Sequence, residues 1–524
     1  MSLRYTPATL ALSALLLSSA HMAQAAERSE VDSDHNGLIE INDLDDLNEI
    51  RNNPLPSNAY ELHGTHLYGN NGGCPTAGCN GYELTADLNF DTNGNQRFDA
   101  GDRFWNNGKG FEPIGNFNLK FAAEFHGQNH TLHNLTIHRP GEYFTALFGY
   151  LEMASVHHLN LTADIQGGGN SAALAGYAWR SLFYQLHANT QVTASDSTSN
   201  SCGAFCNAGA NGGLIGSGEE LMVRQVLLKT RVTGADETGG LAGYLADSNL
   251  DEIGVQAEVS GDSMVGGLSG KMTLTAGDSA AITSSVKRSF VAARVNGENR
   301  VGVLAGSLKG TDLSDVIVTG DLTLADRQYV RAGAVVGSMD GGSSLRLLAT
   351  VRLPANSGNT RFIGSFAGES SDLVLTDIQK THVASDLARR SDGSGKGSLT
   401  PSQHYLLSHI QCATAANACD SLQYSDWNTV VNSGKKALWT FGSQDQVPGV
   451  VLPQATLVDA DANGVADSWP AMASPDPVDP DPVDPDPVTP TPGKSSGGGA
   501  LLMWLWLLPL TAVLRRRTLR PARA

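Results

Sequence analysis

The amino-acid sequence predicts an all-β chain wound as a right-handed parallel β-helix (β-solenoid), with a small calcium-loop region on its N-terminal side and a C-terminal transmembrane helix. Three observations carry this expectation. A short phrase recurs: Ala146-Leu-Phe-Gly149, Ala173-Leu-Ala-Gly176, Gly213-Leu-Ile-Gly216, Gly240-Leu-Ala-Gly243, Gly267-Leu-Ser-Gly270, Val303-Leu-Ala-Gly306, Ala334-Val-Val-Gly337 and Ser365-Phe-Ala-Gly368. Its closing glycines fall 27, 40, 27, 27, 36, 31 and 31 residues apart, close enough to one period to indicate a repeat array. Between phrases, segments such as Val223–Gly234 and Val255–Gly261 alternate apolar and polar residues, the period of a strand with one buried face. Finally, 58 of 524 residues are glycine and no 3.6-residue apolar stripe persists, which argues against a helical repeat. About 27 residues make three short strands and three turns, one coil pairing with the next at about 4.8 Å. A propeller blade, the structural competitor, needs ~40–45 residues.

Composition narrows function as well. With 41% hydrophobic residues the chain can bury a core, so general disorder is excluded, and the glycines lack the three-residue period of collagen. A net charge of −18 repels phosphate, so no nucleic-acid partner is expected.

Residues 1–25 have the grammar of a secretory signal: Arg4, an apolar run from Ala8 to Ala20, and Ala23-Gln-Ala25 as the small-residue cleavage site. Residues 26–60 hold a calcium loop and a short helix. Asp32, Asp34, Asn36, Glu40 and Asp43 place side-chain oxygens at positions 1, 3, 5, 9 and 12 of the loop, Gly37 stands at the sharp turn, and Leu38 offers its carbonyl at position 7. Asp43 is alternatively the cap of the helix Leu44 to Asn52. Residues 61–143 form an N-terminal β region and cap, with a second loop of Asp91, Asn93, Asn95, Arg97 (through its carbonyl), Asp99 and Asp102, in which glycine stands at the fourth position rather than the sixth. The repeat array covers 144–400. A C-terminal cap, 401–472, carries a third loop of Asp459, Asp461, Asn463, Val465 (carbonyl) and Asp467 that lacks an acidic twelfth residue. The second and third loops resemble dockerin-type or thrombospondin-type calcium loops. Calcium is expected to be structural, because each oxygen is used as a ligand. In the absence of an ion, each segment would be an Asx-rich turn.

Six cysteines fall as close pairs, Cys74/Cys79, Cys202/Cys206 and Cys412/Cys419, which in an exported chain favours three local disulfides over zinc ligation. Residues 473–494 repeat Pro-Asp-Pro-Val, an extended polyproline II spacer. In 495–524, Gly497, Gly498 and Gly499 precede the apolar stretch Ala500 to Leu514 and the basic cluster Arg515, Arg516 and Arg517. Those arginines resist translocation and hold the end on the cytoplasmic side.

The order of glycines, apolar segment and arginines resembles the GlyGly-CTERM sorting signal of Gram-negative bacteria. The resemblance implies signal peptidase, the type II secretion machinery and a rhombosortase as export partners, a transient inner-membrane precursor, and a surface or secreted product. The repeated phrase resembles the GLUG motif of bacterial surface proteins, complete in Val265-Gly-Gly-Leu-Ser-Gly270. Asn80–Leu88, Phe111–Gly115, Phe125–Leu135 and Trp439-Thr-Phe-Gly442 resemble other segments of such arrays. This likeness, over about residues 30–450, implies a scaffold and not a reaction.

No catalytic residues emerge. Some GLUG-bearing proteins are zinc peptidases with H-E-x-x-H, which this sequence lacks. His126, His130, His133 and His138, with His157 and His158 nearby, are the most metal-like cluster but are read as surface or inter-coil histidines. Ser284-Ser-Val-Lys287 and Ser433-Gly-Lys-Lys436 fit S-x-x-K without its companion motifs. Asp247, Asp251, Glu252, Asp312, Asp315 and Asp321 are read as solvated turn carboxylates. The expected function is therefore a calcium-stabilised surface adhesin or recognition protein with a glycan or protein ligand. A surface carbohydrate-active enzyme and a ligand-free stalk are the alternatives.

Overall fold

The computed structural model describes residues 28–55, 57–195, 209–275, 284–325, 329–354, 361–370 and 378–384, with 404–405, 410, 427, 439–440 and 449–450. All of them fall in the first of the chain's two units, Met1–Met472. The signal segment 1–25, Cys202, Cys206, Cys412, Cys419, the third loop (Asp459, Asp461, Asn463, Val465 and Asp467) and the sorting residues Gly497–Gly499 and Arg515–Arg517 lie outside the described residues.

The fold is a stack of parallel rungs. Three sheets, entirely parallel, build the stack, and from Asn211 onward each gives one strand per rung: a long-strand sheet from Ile39–Ile41 to His404–Tyr405, a ten-stranded sheet from Glu61–Leu62 to Ala367–Ser370, and a six-stranded sheet from Asn211–Gly212 to Arg361–Gly364. One regular rung runs Thr238–Gly239, Ala242–Ala246, Asn249–Ser260. Its strands align with Val265–Gly266, Ser269–Thr273 and Ser285–Asn296 of the next. All-parallel pairing excludes a propeller. Among the described residues the sole antiparallel ladder joins Trp439–Thr440 to Gly449–Val450.

Register accounts for the uneven glycine spacings. The 40-residue step keeps every strand in phase (Leu182↔Met222, Thr193↔Thr233) and places its surplus between Ala194 and Asn211. The 36-residue step places it between Thr273 and Ser284. The extra residues thus fall between strands and leave the register intact, whereas slipping a strand by one residue would turn its apolar side chains outward.

Alternation sets the core. Leu159, Leu161, Ala163 and Ile165 face inward from Ser155–Gly167, and Val156, Phe183, Val223, Leu250, Val286 and Leu313 form one buried column through six rungs. The second residue of the repeated phrase makes another. Leu147, Leu174, Leu214, Leu241, Leu268, Leu304, Val335 and Phe366 are all buried, and the N–H of Leu174, Leu214, Leu241 and Leu268 each donates to the carbonyl of its counterpart one rung on, at 2.8–3.1 Å. Each such leucine contributes about 2 kcal/mol through removal from water.

The closing glycines serve a different need from the one glycine usually meets. None has a left-handed φ; instead a Cβ on Gly243, Gly270, Gly306 or Gly337 would stand 2.2–2.3 Å from backbone atoms of a neighbouring strand. Close approach of coil backbones, and not turn conformation, selects glycine there.

The third strand of each rung is long, 12–14 residues in the middle of the array, and not short as expected. It stays on one sheet by bending at a single left-handed residue: His158, Gln185, Gln225, Glu252, Arg288, Asp315 and Arg346, with φ from 45 to 58°, form one column up the stack. These side chains are non-glycine residues in a region most residues avoid, and the bend repeats at the same place in seven consecutive rungs.

Candidate functional site

Both described calcium-type loops lie at the N-terminal end of the stack. In the first, Asp32 is 0% exposed, and its Oδ1 and Oδ2 accept the N–H groups of Asn36 and Gly37 at 3.1 and 3.0 Å. Asp34 Oδ1 accepts the same Asn36 N–H at 3.0 Å, and Asn36 Oδ1 accepts the Leu38 N–H at 2.7 Å. Glu40 turns back from its strand, and its Oε1 accepts the Ser33 N–H at 3.0 Å. Asp43 caps the helix Leu44–Glu49, accepting from Asp45 and Asp46 N–H at 2.8 and 2.9 Å.

The second loop repeats this pattern at its first, third and fifth positions. Asp91 Oδ1 and Oδ2 accept from Asn95 and Gln96 N–H at 3.1 and 2.8 Å, Asn93 Oδ1 from Asn95 N–H at 2.9 Å, and Asn95 Oδ1 from Arg97 N–H at 2.8 Å. Asp99 accepts from the side-chain amides of Asn93 and Asn95 at 3.0 and 2.6 Å, and Asp102 Oδ1 and Oδ2 accept from Thr92 and Asp99 N–H, both at 2.9 Å. A hydrogen bond from Gly101 N–H, with the Asn95 amide, holds the Asp99 carboxyl below its ordinary range. The displaced glycine now has a physical explanation. Positions four and six are left-handed in both loops, His35 (φ 61°) and Gly37 (90°) in one, Gly94 (71°) and Gln96 (64°) in the other. Each loop relieves one of the two with glycine.

Cys74 and Cys79 form the expected local disulfide, with Cα atoms 5.2 Å apart. The preceding glycines lie against the first loop: Val31 N–H donates to Gly72 O at 2.8 Å, and His35 Nδ1 is 2.6 Å from Gly73 O. The donor set of both loops is oxygen throughout, suited to a hard divalent cation.

On the outer face of the long-strand sheet the charge alternates by rung. Arg231, Glu258, Arg294, Asp321 and Arg352 are successive register partners, joined at 2.7, 3.5, 3.9 and 3.4 Å. The column at the bend, six residues earlier, alternates in step: Glu252 meets Arg288 at 3.5 Å, and Arg346 grips Asp315 through Nε and NH2 at 2.5 and 2.6 Å. In-register stacking would otherwise set like charges about 4.8 Å apart. Asp315, expected in a solvated turn, is 4% exposed, because the C-terminal tryptophans cover that stretch of the bend. Asp251 and Glu252 are likewise engaged by Arg288. A groove of about 650 Å³ opens along the edge of this face, lined by Glu258, Arg294, Asn296, Asp321, Thr323 and Arg352 among others from four consecutive rungs.

The histidines separate into two groups. His130 and His133 stand 3.1 and 4.0 Å from Asp87, and His138 3.6 Å from Asp164. His126 parts from them and meets His157 and His158 on the next rung, an association that sequence spacing could not show because it depends on the His126↔His157 register. Burial, then the two neighbouring imidazoles, pulls His126 down to about 4, and burial also lowers His157.

No family model matches the chain. A stretch of 107 residues, 19% of the chain, is 36% identical to halomucin of Haloquadratum walsbyi, and the match covers 1% of that protein's length.

Proposed function

We propose that the chain is an exported, calcium-stabilised recognition scaffold of the GLUG type, displayed at a bacterial surface and without catalysis of its own. The winding is taken as right-handed, the hand that nearly all parallel crossover connections adopt. Residues 1–25 would direct export, and the GlyGly-CTERM-like tail would be processed by a rhombosortase after type II secretion. Calcium would occupy the two oxygen-lined loops, where the fully buried Asp32 carboxylate meets backbone N–H groups and stands to gain most from a cation.

The groove on the long-strand face carries the reading. Four rungs contribute guanidinium, carboxylate, amide and hydroxyl groups at a fixed spacing, a pattern that suits an extended ligand with repeating polar groups, above all an acidic glycan. Glu258 and Asp321 each stand between two arginines, which leaves neither free for the proton transfer a glycosidase requires. A glycan array and a polysaccharide-degradation assay on the same protein test the proposal. Binding without product, lost in Arg294→Ala, supports recognition; product formation overturns it in favour of an enzyme, and neither response leaves a stalk.

A further inference from the structure

The geometry points to a transition-metal site formed by His126, His157 and His158, a place for one zinc-class divalent cation distinct from the oxygen-lined loops. One ligand atom from each of the three lies within 4.8 Å of the others, and His157 Nδ1 is 2.8 Å from His158 Nδ1. Nitrogens around one tetrahedral zinc stand about 3.4 Å apart, between these values.

Two features of the fold produce the convergence. Register places His126 and His157 side by side on adjacent rungs, with ring centroids 4.5 Å apart. Successive residues of a strand normally point to opposite faces. The left-handed bend at His158, φ 52°, returns its ring to the side of His157, with centroids 5.0 Å apart.

The surroundings are those of a ligand set. Glu124 Oε1 lies 2.9 Å from His157 Nε2, so the proton sits on that nitrogen and the Nδ1 lone pair faces the other two rings. A carboxylate behind a ligating histidine both orients it and raises its basicity. Tyr184, one rung on, stacks on His157 at 4.4 Å and 11° and closes that side. Backbone contacts fix the rest: Gly127 N–H donates to His157 O at 2.8 Å and Asn129 N–H to His158 O at 2.6 Å. His157 is 3% exposed, while His126 and His158 are half-buried, so a bound ion keeps a coordination position toward solvent. Nitrogen donors select zinc, nickel, cobalt or copper over calcium.

The test uses the full chain, stripped with chelator and returned to buffer containing calcium, then titrated with Zn²⁺ alone by calorimetry and with Co²⁺ by visible absorption. One equivalent of Zn²⁺ and a tetrahedral Co²⁺ spectrum are expected. Glu124→Gln keeps the stoichiometry and weakens binding roughly 10- to 100-fold, and His126→Gln and His158→Asn weaken it further. Asparagine accepts the left-handed φ at 158, so that variant spares the bend, and Glu124→Gln reads the site without removing a ligand should either histidine variant fold poorly. Absence of Zn²⁺ binding overturns the proposal. So does equal affinity in a His126→Gln/His158→Asn double variant that retains the parent melting temperature, which would assign the ion to histidines such as His130 and His133.

Discussion

The indole Nε1 of Trp439 donates to Oδ1 of Asp315 at 2.9 Å, across a sequence separation of 124 residues. Both are buried, at 1% and 4% exposure. Trp427 packs edge-on against Trp439 at 4.5 Å and stacks on His382 at 5.2 Å. The hydrogen bond therefore fastens a C-terminal hairpin over the Asp315–Arg346 ion pair. Trp439→Phe keeps the ring and removes the donor, and should cost about 1–3 kcal/mol, the usual consequence of depriving a buried carboxylate of a partner. Thermal denaturation measures it; an unchanged melting temperature would show that the hairpin does not hold the stack.

Two glycine substitutions should separate two causes. Gly243→Ala forces a Cβ to 2.2 Å from Asn211 N, and overpacking against backbone is expected to cost about 3 kcal/mol or more. Gly141→Ala meets nothing within 4 Å but must hold φ at +79°, at about 1 kcal/mol. Equilibrium unfolding of the two proteins should give that order, and the reverse order would refute the close-approach explanation of the repeated phrase.

Chelation should destabilise the chain. If calcium fills the loops at 100 times its dissociation constant, each site adds about 2.7 kcal/mol, so EDTA should lower the melting temperature by several degrees. Asp32→Ala and Asp91→Ala should each remove part of that response. A melting temperature indifferent to EDTA would sink the calcium reading.

Glu237 predicts a pH effect. Burial raises its carboxyl above the ordinary 4.5 against the opposing pull of Lys271, whose Nζ is 3.0 Å away, and its Oε2 is buried without a hydrogen-bond partner. From pH 4.5 upward to the raised folded value the folded state holds more protons than the unfolded state, so this group's contribution is full in acid and is lost as pH rises. Glu237→Gln should therefore melt above the parent at pH 8, with the difference closing below pH 4.5. Melting curves across pH decide it, and a gap that persists unchanged in acid would contradict the assignment.

Much of the architecture was legible because a repeat declares itself in sequence. Leu174, Leu214, Leu241 and Leu268 recur at the same point of each coil, and they stack. The shape of the first Asx-rich loop was legible because the oxygens and N–H groups that fold it are local, and Asp43's capping role was visible as an alternative. Gln96 was not, since nothing in its side chain announces a left-handed backbone, and only its equivalence to Gly37 reveals one. Asp315 was misread as solvated because its cover, Trp439, comes from 124 residues away. The division of the histidines, which the sequence presents as one cluster, was hidden for a related reason. His126 is nearer in sequence to His130 than to His157, and it is the register between rungs that chooses its neighbours.

The rung-by-rung change of sign has a genealogical consequence. The backbone of this array repeats every coil, but its electrostatics repeat every second coil, from Glu252 and Glu258 to Arg288 and Arg294, then to Asp315 and Asp321, and then to Arg346 and Arg352. Duplicating one coil here would set acid upon acid or base upon base, whereas duplicating two preserves the alternation. Lengthening this part of the molecule is therefore favoured in even steps.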